Sequence, residues 1–136
     1  VFLTRHVKGH TNSIEEHLAH MEFQFILEKA KSGESFILVG RCGEYLLREY
    51  PNLVSAFLVA EQKDCVARVM DRLNLSEKEA LSKIRRHDVS RRKYHETYSD
   101  RRWDDPGTYN ICLNVSPLGV ERTADMLLEY IKLREQ

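Results

Sequence analysis

The sequence has few cysteines, no net charge and no long apolar run, and each of these absences excludes a class of protein. Its three cysteines, Cys42, Cys65 and Cys112, are odd in number and widely spaced, which predicts a reducing, cytoplasmic environment rather than a disulfide framework. Basic and acidic residues number 21 each, which argues against a protein that chiefly binds the nucleic-acid backbone. The longest apolar runs are about five residues, far short of a membrane span, and no signal-peptide pattern opens the chain.

What is present suffices for a single α/β domain over residues 1–136, of which 42% are apolar. Apolar runs at 36–39, 56–60 and 109–115 are typical of buried parallel strands. Strands alternating with helices predict a three-layer fold, a parallel sheet with helices on both faces. Apolar spacing and capping signals predict helices at about 13–32, 42–50, 62–73, 77–98 and from 116 onward.

Three strands are few for a buried parallel sheet, which usually has about five or six. The chain also begins with Val1 rather than Met. We therefore expect strands that precede this sequence in a longer protein to complete the sheet. An incomplete sheet exposes a strand edge that invites pairing, so a homodimer or association with the missing N-terminal segment is expected.

Ligands of open parallel sheets bind beyond the carboxyl ends of the strands. Gly40-Arg41 follows the first predicted strand, and Asn114 and Ser116 follow the third, at the start of a helix. Gly40 allows a tight turn, after which the Arg41 guanidinium can grip a phosphate with two hydrogen bonds. The alternative for Arg41 is an ordinary surface ion pair.

The segment from Lys83 to Arg102 is strongly basic within a neutral chain. It holds eight basic and three acidic residues, with Tyr94 and Tyr98 interleaved. Solvated helix faces usually mix charges of both signs, so this segment predicts contact with polyanions. The polyanion could be the phosphates of a nucleotide, and RNA or DNA is a weaker alternative. A third possibility is a basic helix face that binds no ligand.

Histidine and cysteine give weaker signals. His6 and His10 are four residues apart and His17 and His20 are three apart, so either pair offers two metal ligands. No third ligand is evident, and we expect no metal site. Cys42 beside a guanidinium is either an activated thiol or a small buried apolar residue, and we favour the second.

Several motifs, in this order and spacing, resemble the cytidylate kinase-like family of P-loop nucleoside monophosphate kinases. The resemblance runs from about residue 25 to the C-terminus. The residues that carry it are Gly40-Arg41-Cys42, the run Ile84-Arg85-Arg86-His87-Asp88-Val89-Ser90-Arg91, Tyr94-His95, Tyr98-Ser99, Trp103, Tyr109 and Asn114-Val115-Ser116-Pro117-Leu118-Gly119.

This resemblance implies a kinase that uses ATP and Mg²⁺ to phosphorylate CMP or dCMP. Residues 77–108 would form a lid over the phosphates, and Gly40-Arg41 would bind the acceptor phosphate. The implied catalytic residues are Arg86, Asp88 and Arg91, and the implied substrate-binding residues are Gly40, Arg41, Asn114 and Ser116. Asp88 would orient an arginine rather than act as a base.

The family also begins with a strand and a Gly-rich phosphate loop, and the pattern G-x-x-x-x-G-K-[ST] does not occur here. Without those backbone N–H groups we do not expect ATP to bind well to this chain. The sequence thus predicts part of a kinase. The alternatives are a non-catalytic nucleotide-binding regulatory module and a nucleic-acid-binding domain that uses residues 83–102.

Overall fold

A computed structural model of the protein describes residues 13–135, which form five helices and two strands. None of these helices is both long and apolar enough to cross a membrane. In chain order the elements are α1 (Ile14–Lys31), α2 (Gly43–Leu46), β1 (Ala56–Val59), α3 (Gln62–Leu73), α4 (Glu77–Tyr98), β2 (Ile111–Asn114) and α5 (Val115–Arg134). A short 3-10 turn at Pro106–Thr108 precedes β2, and α5 is interrupted at Gly119, whose φ of 77° and ψ of 173° are not helical.

Helix α4, which carries the basic segment, begins where the sequence predicts because its first turn is capped twice. The Ser76 hydroxyl accepts a hydrogen bond from the backbone N–H of Glu79 at 3.4 Å, and the Glu79 carboxylate accepts one from the backbone N–H of Ser76 at 2.9 Å. Such a capping box satisfies donors that a helix start otherwise leaves unpaired. The resulting helix is 22 residues long and packs against α3.

The two strands form a parallel sheet against which α5 packs. Val59 pairs with Asn114, so the carboxyl ends of β1 and β2 meet at one edge, as predicted. The mixed α/β class is confirmed, whereas the expected three-layer core with helices on both faces is not confirmed by the described residues.

The prediction of a third strand at 36–39 is wrong for this structure. Residues 34–39 have no regular secondary structure, and Ile37 and Val39 are 94% and 86% exposed, while Leu38 turns inward. A strand exists only when a neighbour pairs with its backbone, and no described strand lies hydrogen-bonded beside this segment. The segment thus keeps the alternating side-chain directions of a strand but lacks backbone hydrogen bonds to a neighbouring strand.

A small apolar core joins α1 and α2. Ile26, Leu46 and Leu47 are buried in it, and Leu38 packs against them. Gly43 leaves room for Leu38, because a Cβ there would lie 2.5 Å from Cδ2 of Leu38 and would displace that side chain. The extended segment 36–39 and the start of α2 are therefore fixed against each other.

The spacing of Ile14, Leu18, Met21 and Phe25 correctly predicts helix α1, but this stripe is exposed in the described structure. The buried residues of α1 are Ala19 and Ile26, on a different face. Periodicity identifies a helix with apolar faces, and the positions of the other elements decide which face is covered.

Candidate functional site

The turn that leads into α2 has an unusual backbone. Gly40, Arg41 and Cys42 have φ values of 74°, 58° and 54°, so three successive residues are left-handed. This conformation costs about 1–2 kcal/mol for each residue with a Cβ. It persists only where surrounding contacts hold it, which occurs most often at functional sites. The predicted tight turn at Gly40 is confirmed, and the left-handed run extends beyond it through Arg41 and Cys42.

Arg41, Glu22 and Tyr94 form what we call the Arg41 cluster. The Arg41 guanidinium lies over the ring of Tyr94, 5.1 Å from the ring centroid. Its Nη1 is 3.5 Å from a carboxylate oxygen of Glu22, and the Tyr94 hydroxyl donates a hydrogen bond to the same carboxylate at 3.2 Å. The surface ion pair weighed for Arg41 is therefore present. The side chain remains half exposed, so an anion in solution can still reach it.

Burial raises the pKa of Tyr94 to about 12, with the Arg41 hydrogen bond acting in the opposite direction. At neutral pH the phenol therefore keeps its proton and serves as the donor to Glu22. Tyr94 and Tyr98 also contact Phe23 of α1 edge to face, with ring centroids 6.3 and 5.3 Å apart. These contacts fix the C-terminal part of α4 on α1, beside the turn.

The lid residues implied by the resemblance lie on α4. Arg91 is three residues before Tyr94, which places the two on neighbouring turns of one helix face. Arg86 and Asp88 lie further toward the N-terminus, and all three side chains are exposed. In residues 13–135 no salt bridge joins Asp88 to either arginine. The structure thus brings Arg41 within one helical turn of the Arg91 position, and it leaves Arg86 and Asp88 apart from the turn.

Asn114 and Ser116 make hydrogen bonds that build the local fold. The Asn114 side chain accepts a hydrogen bond from the backbone N–H of Ser116 at 3.0 Å and caps α5. The Ser116 hydroxyl accepts one from the backbone N–H of Glu61 at 2.8 Å. The predicted helix start, with Ser116 as the cap and Pro117 as the first helical residue, is therefore two residues late. The two side chains tie the carboxyl ends of both strands together.

The loop after α4 is anchored to it through Arg92. This guanidinium lies 3.0 Å from the Asp104 carboxylate and over the Trp103 ring at 5.7 Å. The hydrogen bond from Arg92 lowers the pKa of Asp104, which keeps the carboxylate charged. The 77–108 segment is thus a helix with its following loop held back onto it.

Cys42 is a small buried apolar residue, as we favour from the sequence, and not an activated thiol. It is 2% exposed, and burial raises its pKa from 9.0 to about 12, with the Glu44 charge adding to the effect. An activated thiol needs a lowered pKa, so that reading is wrong.

Histidine positions add no metal site to the described part of the chain. His6 and His10 lie outside the described residues, and His20 of the second pair is 3.8 Å from Glu16. Residues 13–135 contain no group of three or more His, Cys, Asp or Glu side chains placed to hold a metal ion.

Sequence reasoning missed Glu22 and Glu44. Glu44 pairs with the buried His95 of α4, 51 positions further along the chain. The available signal was a carboxylate just ahead of the apolar pair Leu46-Leu47, where burial requires a partner. Neither of two shallow cavities, of about 460 and 360 Å³, contains Arg41 or Arg91; one lies between α3 and α4, and the other lies beside α5.

Comparison with known proteins gives a family match and a structural match. The family model described as "Cytidylate kinase-like family" matches residues 1–117. The crystal structure of an uncharacterized protein from Eubacterium ventriosum ATCC 27560 superposes with a TM-score of 0.84 at 36% sequence identity. That match covers 89% of this chain and 68% of the other. No curated protein matches.

The family match spans most of the chain, including the Gly40–Cys42 turn, all of α4 and the capping residues Asn114 and Ser116. It indicates a kinase-like, nucleotide-binding function in general terms. The residues, their order and this match agree, and the chain belongs to the cytidylate kinase-like family.

Proposed function

We propose that this chain carries the acceptor-nucleotide site and the lid of a cytoplasmic kinase that transfers the γ-phosphate of ATP to CMP or dCMP. The observation that carries the proposal is the position of Arg41. A left-handed turn presents it, and its guanidinium rests on Tyr94 of the basic helix α4. The acceptor site and the lid therefore meet at one side chain. The three free cysteines are compatible with the reducing compartment.

In this proposal Arg41 binds the phosphate of the acceptor nucleotide. A guanidinium donates two parallel hydrogen bonds to phosphate oxygens. Glu22 neutralises Arg41 when no nucleotide is bound, through an exposed pair at 3.5 Å. Exposed pairs contribute little, about 0–1 kcal/mol, so a phosphate with greater negative charge displaces the carboxylate at small cost.

The arginines of α4 then surround the transferred group. Phosphoryl transfer relies on positioned positive charge around the phosphate oxygens and on a site closed to water. Arg86 and Arg91 are exposed on α4, and their charges suit this task, since the contacts of Tyr94 hold the C-terminal part of α4 beside Arg41. Asn114 and Ser116 act in the proposal by holding the strand ends that border the site.

The described residues suit the two implied cofactors unequally. Exposed guanidinium groups on α4 fit the phosphates of ATP, which supplies the transferred phosphoryl group. For Mg²⁺, residues 13–135 place no cluster of three ligating side chains, and we assign no step to the ion. We propose that a Gly-rich loop in a longer natural chain cradles the ATP phosphates.

Phosphotransfer by the full natural protein tests the proposal. ATP and CMP are supplied with Mg²⁺, and CDP is measured for the natural protein, for Arg41→Ala and for Arg72→Ala, an exposed arginine on α3. Loss of charge-assisted hydrogen bonds worth about 1.5–3 kcal/mol predicts roughly 10- to 100-fold lower kcat/KM for Arg41→Ala. We expect Arg72→Ala to match the natural protein.

The result also separates the alternatives. CMP binding that depends on Arg41 without any CDP formation would contradict the kinase and favour a regulatory nucleotide site. Binding of RNA or DNA that weakens steeply with salt and is indifferent to Arg41→Ala would favour a nucleic-acid contact through residues 83–102. Equal activity of Arg41→Ala and Arg72→Ala would remove Arg41 from the site.

A further inference from the structure

One polar pair in the described structure is far more buried than the others. Nε2 of His95 contacts a carboxylate oxygen of Glu44, with side chains 6% and 10% exposed. In the other salt bridges of residues 13–135, every side chain is at least 30% exposed. This pair joins α4 to α2 directly after the Gly40–Cys42 turn.

The ring of His95 is held from both sides. Its Nδ1 lies 3.2 Å from the Ser99 hydroxyl, which also donates a hydrogen bond to the His95 carbonyl at 2.7 Å. The Cys42 thiol faces the same carbonyl at 3.8 Å. The imidazole therefore has one orientation, set by Ser99 on α4's own C-terminal side and by Glu44 across the interface.

Stability alone does not account for such a pair. Removing charged or polar groups from water costs about as much as a buried pair returns, and well-packed apolar residues in its place are often neutral or stabilising. What a directional pair adds is a fixed register between two elements. Here the elements are α4 and the left-handed turn, which needs outside contacts to hold its conformation.

Two successive residues of α4 contact the turn and the start of α2. Tyr94 supports the Arg41 guanidinium, and His95 pairs with Glu44, three residues after Arg41. A shift of α4 along its axis would break the contact between His95 and Glu44. It would also move the Tyr94 ring on which the Arg41 guanidinium rests. The position of Arg41 relative to Arg91, measured along the axis of α4, thus depends on the buried Glu44–His95 pair.

We infer that Glu44 and His95 are positioning residues that lock α4 to the Gly40–Cys42 turn, so that Arg41 and the arginines of α4 address the same phosphate. The inference rests on the proposed function for the identity of that phosphate, the 5′-phosphate of CMP or dCMP. Neither residue needs to touch the nucleotide, because both act through the placement of Arg41 and α4.

The double variant Glu44→Met/His95→Leu tests this inference, because it fills the interface with apolar side chains of similar size. Calorimetric titration with CMP is run on the natural protein, the double variant, Arg41→Ala and the control Glu49→Met, whose carboxylate is exposed. We expect the double variant to melt at the temperature of the natural protein and to bind CMP about tenfold more weakly. In phosphotransfer, KM for CMP should rise, because the proposal places the CMP phosphate on Arg41.

Each outcome bears on the inference. If Arg41→Ala loses CMP while the double variant binds it like the natural protein, the positioning role is wrong and the proposed function stands. If the natural protein does not bind CMP, the proposed function fails and the inference fails with it. If the double variant does not fold, Glu44→Gln and Glu44→Ala decide. The amide keeps a hydrogen bond to His95 and should bind CMP within about twofold of the natural protein, whereas equal binding by Glu44→Ala would overturn the inference.

Discussion

The residues before and after the Gly40–Cys42 turn differ sharply in burial and in how many of their backbone and side-chain groups contact other residues. On the side before the turn, Ile37 and Val39 are almost fully exposed, and no described strand pairs with their backbone. At the end of the turn Cys42 is buried, and directly after it Glu44 pairs with the buried His95 of α4. Seven positions separate Ile37, which is 94% exposed, from Glu44 of the most buried salt bridge in the described residues.

This difference shows which parts of the molecule the described residues complete by themselves. The junction of the turn with α4 is complete in the described residues, since Arg41 is paired with Glu22 and the aromatic rings of the junction pack against each other. The sheet is not closed, because apolar residues of the 36–39 segment and of β1 face solvent. The phosphate-binding side of the proposed site therefore depends less on further strands than the sheet does.

Substitutions on the two sides should differ most in stability. Leu46→Ala removes a side chain that is 6% exposed in the core behind the turn, so we expect the free energy of unfolding to fall by about 2–5 kcal/mol. Ile37→Ala changes a side chain that is 94% exposed and should alter it by less than about 0.5 kcal/mol. Urea unfolding followed by circular dichroism measures both.

The same two variants can contradict the contrast between an exposed 36–39 segment and a buried core after the turn. A loss for Ile37→Ala as large as that for Leu46→Ala would mean that the 36–39 segment is covered in solution. The comparison would be sharpened if Ile37→Ala became costly only in a longer natural protein, where further strands can pair with the segment.

Alkaline pH should weaken the closed side of the turn. Burial raises the pKa of Cys42 from 9.0 to about 12 and that of Tyr94 from 10.0 to about 12. In the unfolded chain both groups release their protons at the lower values, so the stability they contribute is complete below about pH 9 and is lost as pH rises toward 12. Unfolding free energies measured between pH 8 and about pH 11 should fall across this window.

Cysteine variants provide the control for this pH dependence. Cys42→Ala should flatten the loss above pH 9, whereas Cys112→Ala, at an exposed position, should leave it unchanged. Equal slopes for both variants would show that the buried thiol does not contribute. Iodoacetamide should label Cys112 in the folded protein and spare Cys42.

The smallest expected effect concerns Glu22, which neutralises Arg41 in the Arg41 cluster. Glu22→Gln removes the competing carboxylate and keeps an acceptor for the Tyr94 hydroxyl. Since an exposed pair is worth about 0–1 kcal/mol, CMP should bind about two- to fivefold more tightly. The control is Glu28→Gln, on the same helix. Weaker binding by Glu22→Gln would indicate that the carboxylate helps to hold the nucleotide.

Local signals in the sequence predicted much of the fold. The Ser76–Glu79 capping box predicts the start of α4, and Gly40 predicts the tight turn, because both features depend on neighbours in sequence. The wrong prediction of a strand at 36–39 has the opposite cause, since a strand needs pairing with another segment and the residues of the run do not reveal whether a partner is present. Arg41 lies 19 positions from Glu22 and 53 from Tyr94, and His95 lies 51 positions from Glu44. No local pattern specifies such contacts.

A crystal structure of the protein soaked or grown with CMP tests the central claim most directly. We predict that the nucleotide phosphate lies within hydrogen-bonding distance of the Arg41 guanidinium, with Glu22 displaced and the Glu44–His95 pair intact. A well-defined CMP molecule whose phosphate is bound elsewhere, with Arg41 still paired to Glu22, would contradict the account.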